Sequence, residues 1–494
     1  MNPEDGVNGD VPSRQYSRTV PRFSLDSSAR LAGERVLIGG SPLRIFRLTD
    51  AGAAVVRAIA VGEVVPSGHE PLTTRLLEAG AIHPLAGSTS PISAADVSVV
   101  IPAFQCDISA TVSACVESGV HRVIVVDDAS PSPISVDRRA TVELLRLETN
   151  GGPGAARNAG LAIVRTPFVA FVDADATPDP RWLEELLWLF DDDRVGLVAP
   201  RVAAGSGATI LDRYELWRSP LDLGDEPALV RAGSRVGYVP AAAIVVRTSA
   251  IRAIGGFDET LRFGEDVDLV WRLDEAGYRC RYEPAAHVTH HVRPTLGAWI
   301  RQRVGYGSSA ASLDRRHPGD VAPTNTSRWS AVVWALTAAG HPVAGIGVAV
   351  GTVAALSRKL DRLPNPSAEA ARLAGRGNLF AGRLFASAIV RAWWPIAVPL
   401  AVVSRRVRRV LIAAAIAPAL YDWLTQRPDL DPLTAVSLRI ADDMAYGAGV
   451  WKGMVREHRW GPIVPAFTEL TGSTWTARLR SRHRLHQSAQ AGRG

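Results

Sequence analysis

The chain has 494 residues, of which 47% are hydrophobic and 21% charged, and its formal net charge at pH 7 is +6. This length predicts about three domains, and so high a hydrophobic content excludes a chain that is disordered over most of its length. Three cysteines are too few for a disulfide framework and lack the spacing of a zinc site, which indicates a reducing compartment. The first 30 residues lack the apolar segment of a secretory signal, so none is expected.

The charge is distributed unevenly along the chain. Residues 328–494 carry 22 Lys and Arg against 9 Asp and Glu, which leaves 33 against 40 for residues 1–327. A basic segment of this kind suits nucleic acid or an anionic membrane surface. Because no helix-turn-helix, zinc-finger or aromatic RNA-binding signature accompanies it, nucleic acid is not expected as a partner.

The N-terminal part of the chain predicts a small separate module. Residues 1–20 are polar and are predicted to be a disordered tail. Within residues 22–84, two strand-like runs flank a hairpin turn at 39–42, and two amphipathic helical patterns follow. This order predicts a winged-helix-like unit, joined to the rest of the chain by a linker of small residues at 85–95.

Residues 96–310 alternate between strand and helix patterns. Apolar strands are predicted at 97–101, 122–126, 142–147 and 168–172, with helices at 109–118 and 151–164 between them. This alternation predicts an α/β domain around a mostly parallel sheet. In such domains, ligands bind at the carboxyl ends of the strands.

Acidic residues follow two of these strands. Asp173 and Asp175 come directly after the strand at 168–172, where paired carboxylates can hold Mg²⁺ or Mn²⁺; the alternative is an ordinary acidic loop. Asp127 and Asp128 end the strand at 122–126, where a carboxylate can accept a hydrogen bond from a ribose hydroxyl or a base N–H, or can simply form a turn.

A glycine-rich segment at 150–160 enters a helix, an arrangement whose free N–H groups favour a diphosphate. Arg157 and Asn158 lie in its first turns and could reach phosphate or sugar; the alternative is a glycine turn with close helix packing. Further along, Glu265 and Asp266 open another helix, either as a general base or as acids favoured by the helix dipole.

A group of histidines follows a short predicted strand at 278–282. Its members are His287, His290 and His291. One of them could complete a metal site, because neutral imidazole binds Mn²⁺, or all three could be structural.

The order and spacing of these motifs resemble the inverting family-2 glycosyltransferases with the GT-A fold, over about residues 96–310. The motifs that carry the resemblance are VSVVIPAF, VVDDAS, NGGPGAARNAG, FVDADATP, GGFDETLRFGEDVDLVWRL and EPAAHVTHH. The resemblance implies a nucleotide-sugar donor, a Mg²⁺ or Mn²⁺ cofactor, and transfer by single displacement. It assigns the nucleoside contact to Asp127 or Asp128, ribose and metal binding to Asp173 and Asp175, a place near the diphosphate and metal to His290, and the role of base to Asp266. Together with the candidates that the motifs themselves offer, the predicted nucleotide-sugar contacts are Pro102, Asp127, Asp128, Arg157, Asn158 and Asp173, the predicted metal ligands are Asp173, Asp175 and His290, and the predicted catalytic residues are Asp266 and Glu265.

Other functions fit these motifs less well than this one. Residues 301–307 depart from the Q-x-x-R-W pattern of processive members, so long-chain synthesis is not expected. A nucleotidyltransferase would need a basic glycine-rich loop where Pro102 and Phe104 stand, and intact Asp173 and Asp266 argue against a non-catalytic membrane scaffold. A rhamnosyl, galactosyl or mannosyl transferase of cell-wall or lipid-linked glycan synthesis is the remaining alternative.

The whole chain also resembles the glycosyltransferases of actinobacterial mycofactocin systems. The segment LIGGSPLRIFRLTDAGAAVVRAI is similar to the peptide-recognition modules of peptide-derived cofactor pathways, which bind a leader peptide by strand addition. This resemblance implies transfer of glucose from UDP-glucose to a small peptide-derived acceptor, building a short β-1,4-glucan. The N-terminal module could instead be a structural cap.

The basic region 328–494 is predicted to be helical and attached to a membrane. Residues 329–357 contain no Asp, Glu, Lys or Arg over 29 positions, and residues 385–404 form a second apolar run. A membrane helix needs about 20 residues, and the basic flanks favour a cytoplasmic catalytic domain at the cell membrane. The alternative is a buried helical domain or an oligomer interface.

Overall fold

The computed structural model describes residues 22–87, 90–136, 140–293, 295–361 and 363–467. The predicted disordered tail at 1–20 therefore lies outside the described residues, as do two positions of the predicted linker and the end of the basic region. The described chain forms an N-terminal module, a central α/β domain and a C-terminal helical region.

Residues 22–84 combine two small sheets with two helices. The strands at the chain's two ends of this module pair with each other, and the three central strands form an antiparallel sheet that includes the predicted hairpin. Phe46, Val56 and Leu76 form part of its apolar core. The winged-helix-like topology stays a prediction. The elements are β1 (Phe23–Leu25), β2 (Arg30–Leu31), β3 (Val36–Gly39), β4 (Arg44–Arg47), α1 (Asp50–Ala60), α2 (Glu70–Glu78) and β5 (Ile82–Pro84).

The central domain is built on strands that carry runs of fully buried Val, Ile, Ala and Phe, as expected for a sheet covered on both faces. Its strands are β6 (Val97–Ala103), β7 (Arg122–Asp127), β8 (Val142–Arg146), β9 (Phe168–Val172), β10 (Ala176–Pro178), β11 (Val195–Ala204), β12 (Ala228–Val230), β13 (Ala243–Arg247) and β14 (Arg279–His290). Its helices are α3 (Ser109–Glu117), α4 (Pro153–Ile163), α5 (Glu184–Leu187), α6 (Ile210–Arg218), α7 (Thr248–Ala253), α8 (Glu265–Glu275), α9 (Leu296–Ser308) and α10 (Ala310–Arg316).

Within the described residues these strands form one mixed sheet of nine, in the order β10-β14-β11-β13-β9-β6-β7-β8, with β12 also paired to β14. The run β9-β6-β7-β8 is parallel, and so is the pair β11-β14. The prediction of a mostly parallel sheet is therefore confirmed. β13 lies antiparallel between β9 and β11, so the loops that follow β6, β7, β9, β11 and β14 emerge at one edge.

The predicted short strand at 278–282 is wrong in its length. β14 runs twelve residues to His290, because it pairs with β11 along its length and with β10 at its end. His287 and His290 therefore lie within a strand instead of after it. The pairing brings His290 opposite Ala176, immediately after the acidic loop at 173–175.

The C-terminal region is helical, and its long apolar run is broken. Residues 329–357 do not form one helix: α11 ends at Ala338 and α12 begins at Pro342, since proline starts a helix but cannot continue one. The elements are β15 (Asn325–Thr326), α11 (Arg328–Ala338), α12 (Pro342–Lys359), α13 (Pro366–Arg391), α14 (Trp394–Val403), α15 (Arg405–Gln426), α16 (Pro432–Glu457) and β16 (Ala466–Phe467).

Among the described helices, none alone has both the length and the apolar composition to cross a bilayer. α13 and α14 meet these criteria only together, as a pair bent by 85°. The second predicted apolar run, at 385–404, falls within this pair.

Glycines allow α16 to lie directly against the backbone of α9. A Cβ atom on Gly449 would overlap the carbonyl oxygen of Val304 and lie 2.9 Å from the backbone nitrogen of Ser308. On the α9 side, a Cβ on Gly307 would overlap the carbonyl oxygen of Tyr446. The backbones of α9 and α16 are therefore in van der Waals contact, and this contact packs the C-terminal region against the central α/β domain.

We expect Gly449→Ala to lower the free energy of unfolding by about 1–3 kcal/mol, because an added methyl group forces the two helices apart. Thermal unfolding followed by circular dichroism measures the effect. Gly347→Ala is the matched control: nothing lies within 4 Å of its Cβ, and alanine favours the helix. Equal melting temperatures for Gly449→Ala and wild type would contradict the close packing.

Candidate active site

A buried arginine at the carboxyl edge of the sheet joins two of the predicted acidic motifs. Arg157 on α4 donates from Nη2 to Asp173 Oδ1 at 2.6 Å and from Nη1 to Glu265 Oε1 at 2.7 Å. Its side chain is 3% exposed, and the guanidinium carbon lies 5.3 Å from the centre of the Phe257 ring. These contacts raise the pKa of Arg157 against the opposing effect of burial. In this structure both Nη groups of Arg157 are bound to carboxylates, and its predicted contact with phosphate or sugar stays a prediction.

The two acids that open α8 differ in direction. Gly264 precedes them with φ +80° and no room for a Cβ beside Ser309, so the helix starts sharply. Glu265 is buried and faces Arg157, whereas Asp266 is half-buried and accepts hydrogen bonds from the backbone N–H groups of Val267 at 2.8 Å and Ala241 at 3.3 Å. Glu265 therefore holds Arg157 in this structure, and its predicted catalytic role stays a prediction.

Both carboxyl groups at this helix start bind protons more tightly than usual. Burial and the negative charge of Asp266 raise the pKa of Glu265 to about 7, although Arg157 opposes this. Burial also raises the pKa of Asp266, as does the charge of Asp173, against the effects of Arg157 and the two backbone N–H groups. A carboxylate with a raised pKa is a better proton acceptor near neutral pH.

Asp175, the second acid of the loop after β9, lies next to β14. Asp175 Oδ1 lies 3.4 Å from His290 Nε2, and Asp175 Oδ2 lies 3.0 Å from Arg293 Nη2. Burial would raise the pKa of Asp175, but His290 and Arg293 lower it below its ordinary value. Asp173, at the start of this loop, is fixed by its backbone N–H, which donates to the Ala242 carbonyl at 2.9 Å.

The predicted metal ligands are only partly gathered. In the described part of the chain, no group of three or more His, Cys, Asp or Glu side chains is arranged to hold a metal ion. Asp173 Oδ1 is taken by Arg157, which leaves Asp175 and His290 as an adjacent oxygen and nitrogen donor. Two donors fit an ion such as Mg²⁺ or Mn²⁺, which takes most of its ligands from water and phosphate oxygens.

The acids at the end of β7 hold loops. Asp127 is fully buried; it forms an ion pair with Arg146 and accepts the Ser130 N–H at 2.9 Å and the Ile134 N–H at 3.3 Å. Burial acts to raise the pKa of Asp127, but these partners lower it. Both its oxygens have protein partners in this structure, and its predicted contact with a nucleoside stays a prediction.

Asp128 and Asn158 fix the glycine-rich segment and the turn behind it. Asp128 accepts the N–H groups of Gly151 and Gly152, each at 2.8 Å. Asn158 accepts the Phe257 N–H at 2.8 Å and donates to the Phe257 carbonyl at 2.9 Å. The amide of Asn158 therefore holds the turn before α8, and its predicted contact with phosphate or sugar stays a prediction.

The remaining predicted residues lie around this edge. Pro102 is in β6, in register with Val126 of β7. His287 is exposed, with Nδ1 near the Ala285 carbonyl, and the His291 backbone N–H donates to the Asp175 carbonyl at 2.9 Å. Neither histidine side chain joins the Asp175–His290 pair.

Comparison with known proteins shows which family the chain belongs to. The sequence profile of Glycosyl transferase family 2 matches residues 98–252. Two proteins named Pre-mycofactocin glycosyltransferase, from the CDC 1551 / Oshkosh and H37Rv strains of Mycobacterium tuberculosis, are each 42% identical to this chain over 459 residues, which cover 89% of this chain and 96% of theirs. The chain is a family 2 glycosyltransferase.

Other proteins are similar to a smaller part of the chain. Succinoglycan biosynthesis protein ExoO of Rhizobium meliloti is 31% identical over 214 residues, which cover 40% of this chain and 61% of that protein. The crystal structure of GalNAc-T7 with UDP, GalNAc and Mn²⁺ aligns at 17% identity with a TM-score of 0.33, over 44% of this chain and 50% of that chain. The mixed sheet and the helical C-terminal region are those of a GT-A-like glycosyltransferase.

Sequence reasoning missed several residues of the glycosyltransferase site. Arg293 pairs with Asp175, and together with His290 it lines a pocket completed by residues of α9 that include Arg303 and Tyr306. Arg293 was detectable as a cation three positions after His290. Arg303 and Tyr306 belong to the stretch 301–307, so this stretch contributes to the pocket although it departs from the Q-x-x-R-W pattern.

A buried histidine, His317, contacts two acidic residues of α8. His317 lies with Nε2 3.0 Å from Asp268 Oδ1 and Nδ1 3.1 Å from Glu275 Oε1. Burial by itself would lower the pKa of His317, but these two hydrogen bonds raise it from 6.5 to about 9. The protonated ring thus binds both ends of α8, and its proton is held more tightly in the folded than in the unfolded chain.

This proton makes the stability of the transferase depend on pH. Because the folded-state pKa is the higher one, the stabilisation by His317 is complete below pH 6.5 and is lost as the pH rises through about 9. In the wild type, we expect the free energy of unfolding to fall by on the order of 3 kcal/mol as the pH rises from 6.5 to about 9. This decrease should be absent in His317→Asn, and urea denaturation at a series of pH values measures it. The control, His121→Asn at an exposed position, should keep the wild-type slope; the same slope in His317→Asn would contradict the assignment.

Proposed function

We propose that this glycosyltransferase moves glucose from UDP-glucose to a hydroxyl of pre-mycofactocin with inversion, and extends it as a short β-1,4-linked glucan. The observation that carries the proposal is the similarity to two proteins named Pre-mycofactocin glycosyltransferase, which extends over 89% of this chain. An alignment that covers 89% of the chain leaves only about a tenth of it outside, so the similarity extends beyond the transferase domain into both the N-terminal module and the helical region.

In the proposed reaction, Asp266 is the general base. It removes the proton of the acceptor hydroxyl while that oxygen attacks the anomeric carbon, through an oxocarbenium-like transition state. Its raised pKa suits this role, and the N–H groups of Val267 and Ala241 fix its orientation. Arg157 keeps Asp173 and Glu265 together without neutralising Asp266 through a direct hydrogen bond.

The donor diphosphate lies, in this proposal, between the loop after β9 and the end of β14. Asp175 and His290 would hold Mg²⁺ or Mn²⁺ there. The cation supplies positive charge to the departing UDP. Arg293 lies 3.0 Å from Asp175 and contributes a second, permanent positive charge at the same place. The uridine lies beside Pro102 and the loops that Asp127 and Asp128 hold.

Two further parts of the proposal concern partners. The N-terminal module binds the peptide part of the acceptor along β4, which pairs only with β3 among the described strands and exposes Leu43 and Ile45 beside it. The helical region attaches the enzyme to the cytoplasmic face of the cell membrane. Support for this comes from the exposed apolar residues of α12–α15 and from Arg405, Arg406, Arg408 and Arg409 at the start of α15.

We expect Asp266→Asn to lower kcat by about a thousandfold, because an amide cannot accept the proton and general bases contribute about 10²–10⁴-fold. The donor KM should change little, because Asp266 is not assigned to donor binding. Initial rates of UDP release with the acceptor present measure both constants. Asp193→Asn, at a fully exposed position far along the chain, should retain wild-type rates, and an active Asp266→Asn enzyme would contradict the assignment.

The donor is tested by a panel of UDP-glucose, UDP-galactose, GDP-mannose and dTDP-rhamnose, each with Mn²⁺ and with pre-mycofactocin as acceptor. We expect a glucosylated product, seen by mass spectrometry, only with UDP-glucose, and none after chelation of the metal. A product formed from dTDP-rhamnose, UDP-galactose or GDP-mannose instead would replace the glucose proposal with the alternative transferase class. The anomeric configuration, read by NMR, tests inversion.

A further inference from the structure

A cavity of about 190 Å³ lies in the helical region, between α13, α15 and α16 and the end of α6. None of the residues assigned to the active site lines it. Its volume corresponds to about six water molecules, enough for a phosphate group and the first atoms attached to it. Its polar wall consists of Arg218, Arg383, Arg439 and Asp443; we call it the arginine cavity.

The arginines around the arginine cavity share a buried carboxylate. Asp422, whose side chain is 3% exposed, accepts both short hydrogen bonds of Arg383 Nη2, at 2.5 and 2.6 Å. It also lies 3.3 Å from Arg218 Nη1 and 3.5 Å from Arg439 Nη1. Three guanidinium groups thus converge on one carboxylate.

A second carboxylate does not complete the neutralisation. Asp443 Oδ2 accepts Arg439 Nε at 2.8 Å, and Asp443 Oδ1 lies 3.6 Å from Arg391 Nη1. The next acid along α16, Asp442, is already bound by Arg303 and by the Tyr214 hydroxyl. The ion-pair network of the arginine cavity therefore contains four arginines, with Arg391 included, against two carboxylates.

The surplus positive charge is partly shielded from water. Burial and then the nearby charge of Arg439 lower the pKa of Arg218, whereas the effect of burial on Arg439 is outweighed by Asp443, which raises the pKa of Arg439. The counter-charge is thus shared unevenly, and Arg218 is the less neutralised of the two. Arg383, with a side chain 45% exposed, stands at the mouth. Guanidinium groups bind phosphate through paired hydrogen bonds, so an anion entering here would supply the missing charge.

The other wall of the arginine cavity is apolar. It is formed by Leu384 and Val390 of α13 and by Ala415 and Ala419 of α15. Pro418, in the same wall, has no N–H to donate within α15 and so leaves room and an open carbonyl in the turn before it. Outside, α13 and α15 expose a run of large apolar side chains: Leu379, Phe380, Ile412, Ile416 and Leu420.

We propose that the arginine cavity binds the phosphate headgroup of an anionic phospholipid, with the acyl chains lying along the exposed apolar faces of α13 and α15. The juxtaposition of surplus arginine charge and an apolar surface at one opening fits an amphiphile better than a free anion. The proposal adds a specific lipid site to the membrane surface proposed above, and it does not rest on the identity of donor or acceptor.

The experiment uses the full-length protein in a neutral detergent and titrates it with dihexanoyl phosphatidylglycerol, followed by calorimetry. We expect saturable binding to one site, weakened about tenfold in Arg383→Gln, since a charge-assisted pair contributes about a factor of ten. Arg376→Gln is the matched control, because Arg376 is exposed on the same helix and does not line the cavity. Ala415→Phe fills the cavity without changing charge and should also abolish binding.

Four outcomes decide the proposal. Binding weakened about tenfold in Arg383→Gln and abolished in Ala415→Phe, with Arg376→Gln unchanged, supports it. Equal weakening in Arg376→Gln would show non-specific attraction and overturn it, as would equal binding of dihexanoyl phosphatidylcholine. Tight binding of glycerol phosphate would show a free-anion site and overturn the lipid assignment. UDP release by each variant, at the wild-type rate in detergent, verifies that it is folded.

Discussion

The geometry of the catalytic edge depends on one buried guanidinium. Arg157 connects the acidic loop after β9 to the start of α8, two segments separated by more than 90 positions in the chain. A guanidinium suits this position because its planar fork can hold two carboxylates at once and stays charged when buried. Breaking such a buried pair leaves carboxylates without a counter-ion, at a cost of about 3–5 kcal/mol. Asp173 and Glu265 are therefore held together at this edge by one shared cation.

Much of the fold could be predicted from the pattern of apolar residues. The strand at 168–172 has the predicted bounds, and those at 97–101, 122–126 and 142–147 differ by one or two residues at their ends. Local pattern does not show which strands pair, so the antiparallel position of β13 and the full length of β14 were not predictable. The part of β14 beyond Tyr282 contains Glu283, His287 and His290, and polar residues break the apolar run by which strands are recognised.

The site was predicted in its residue types more than in its roles. Asp173 and Asp266 do lie at one edge, as the order of motifs implied, but Arg157, Asn158 and Asp127 are turned inward to protein partners. The sequence shows that an arginine follows a glycine-rich loop, but only the fold shows that two carboxylates from distant parts of the chain bind it. The long uncharged run in the basic region was misleading for a related reason, since length and apolarity do not reveal the break between α11 and α12.

The glycine contact between α9 and α16 has a consequence for how this enzyme could evolve. The pocket next to His290 and Arg293 is completed by α9, and α9 is held by a helix that begins more than a hundred positions later. The transferase domain therefore cannot be exchanged without the C-terminal region. Recombination near residue 310 would separate the pocket from α16, the helix that holds α9 in place. Exchange between relatives should preserve the α9–α16 pair as a unit of inheritance, with small residues changing on both helices together.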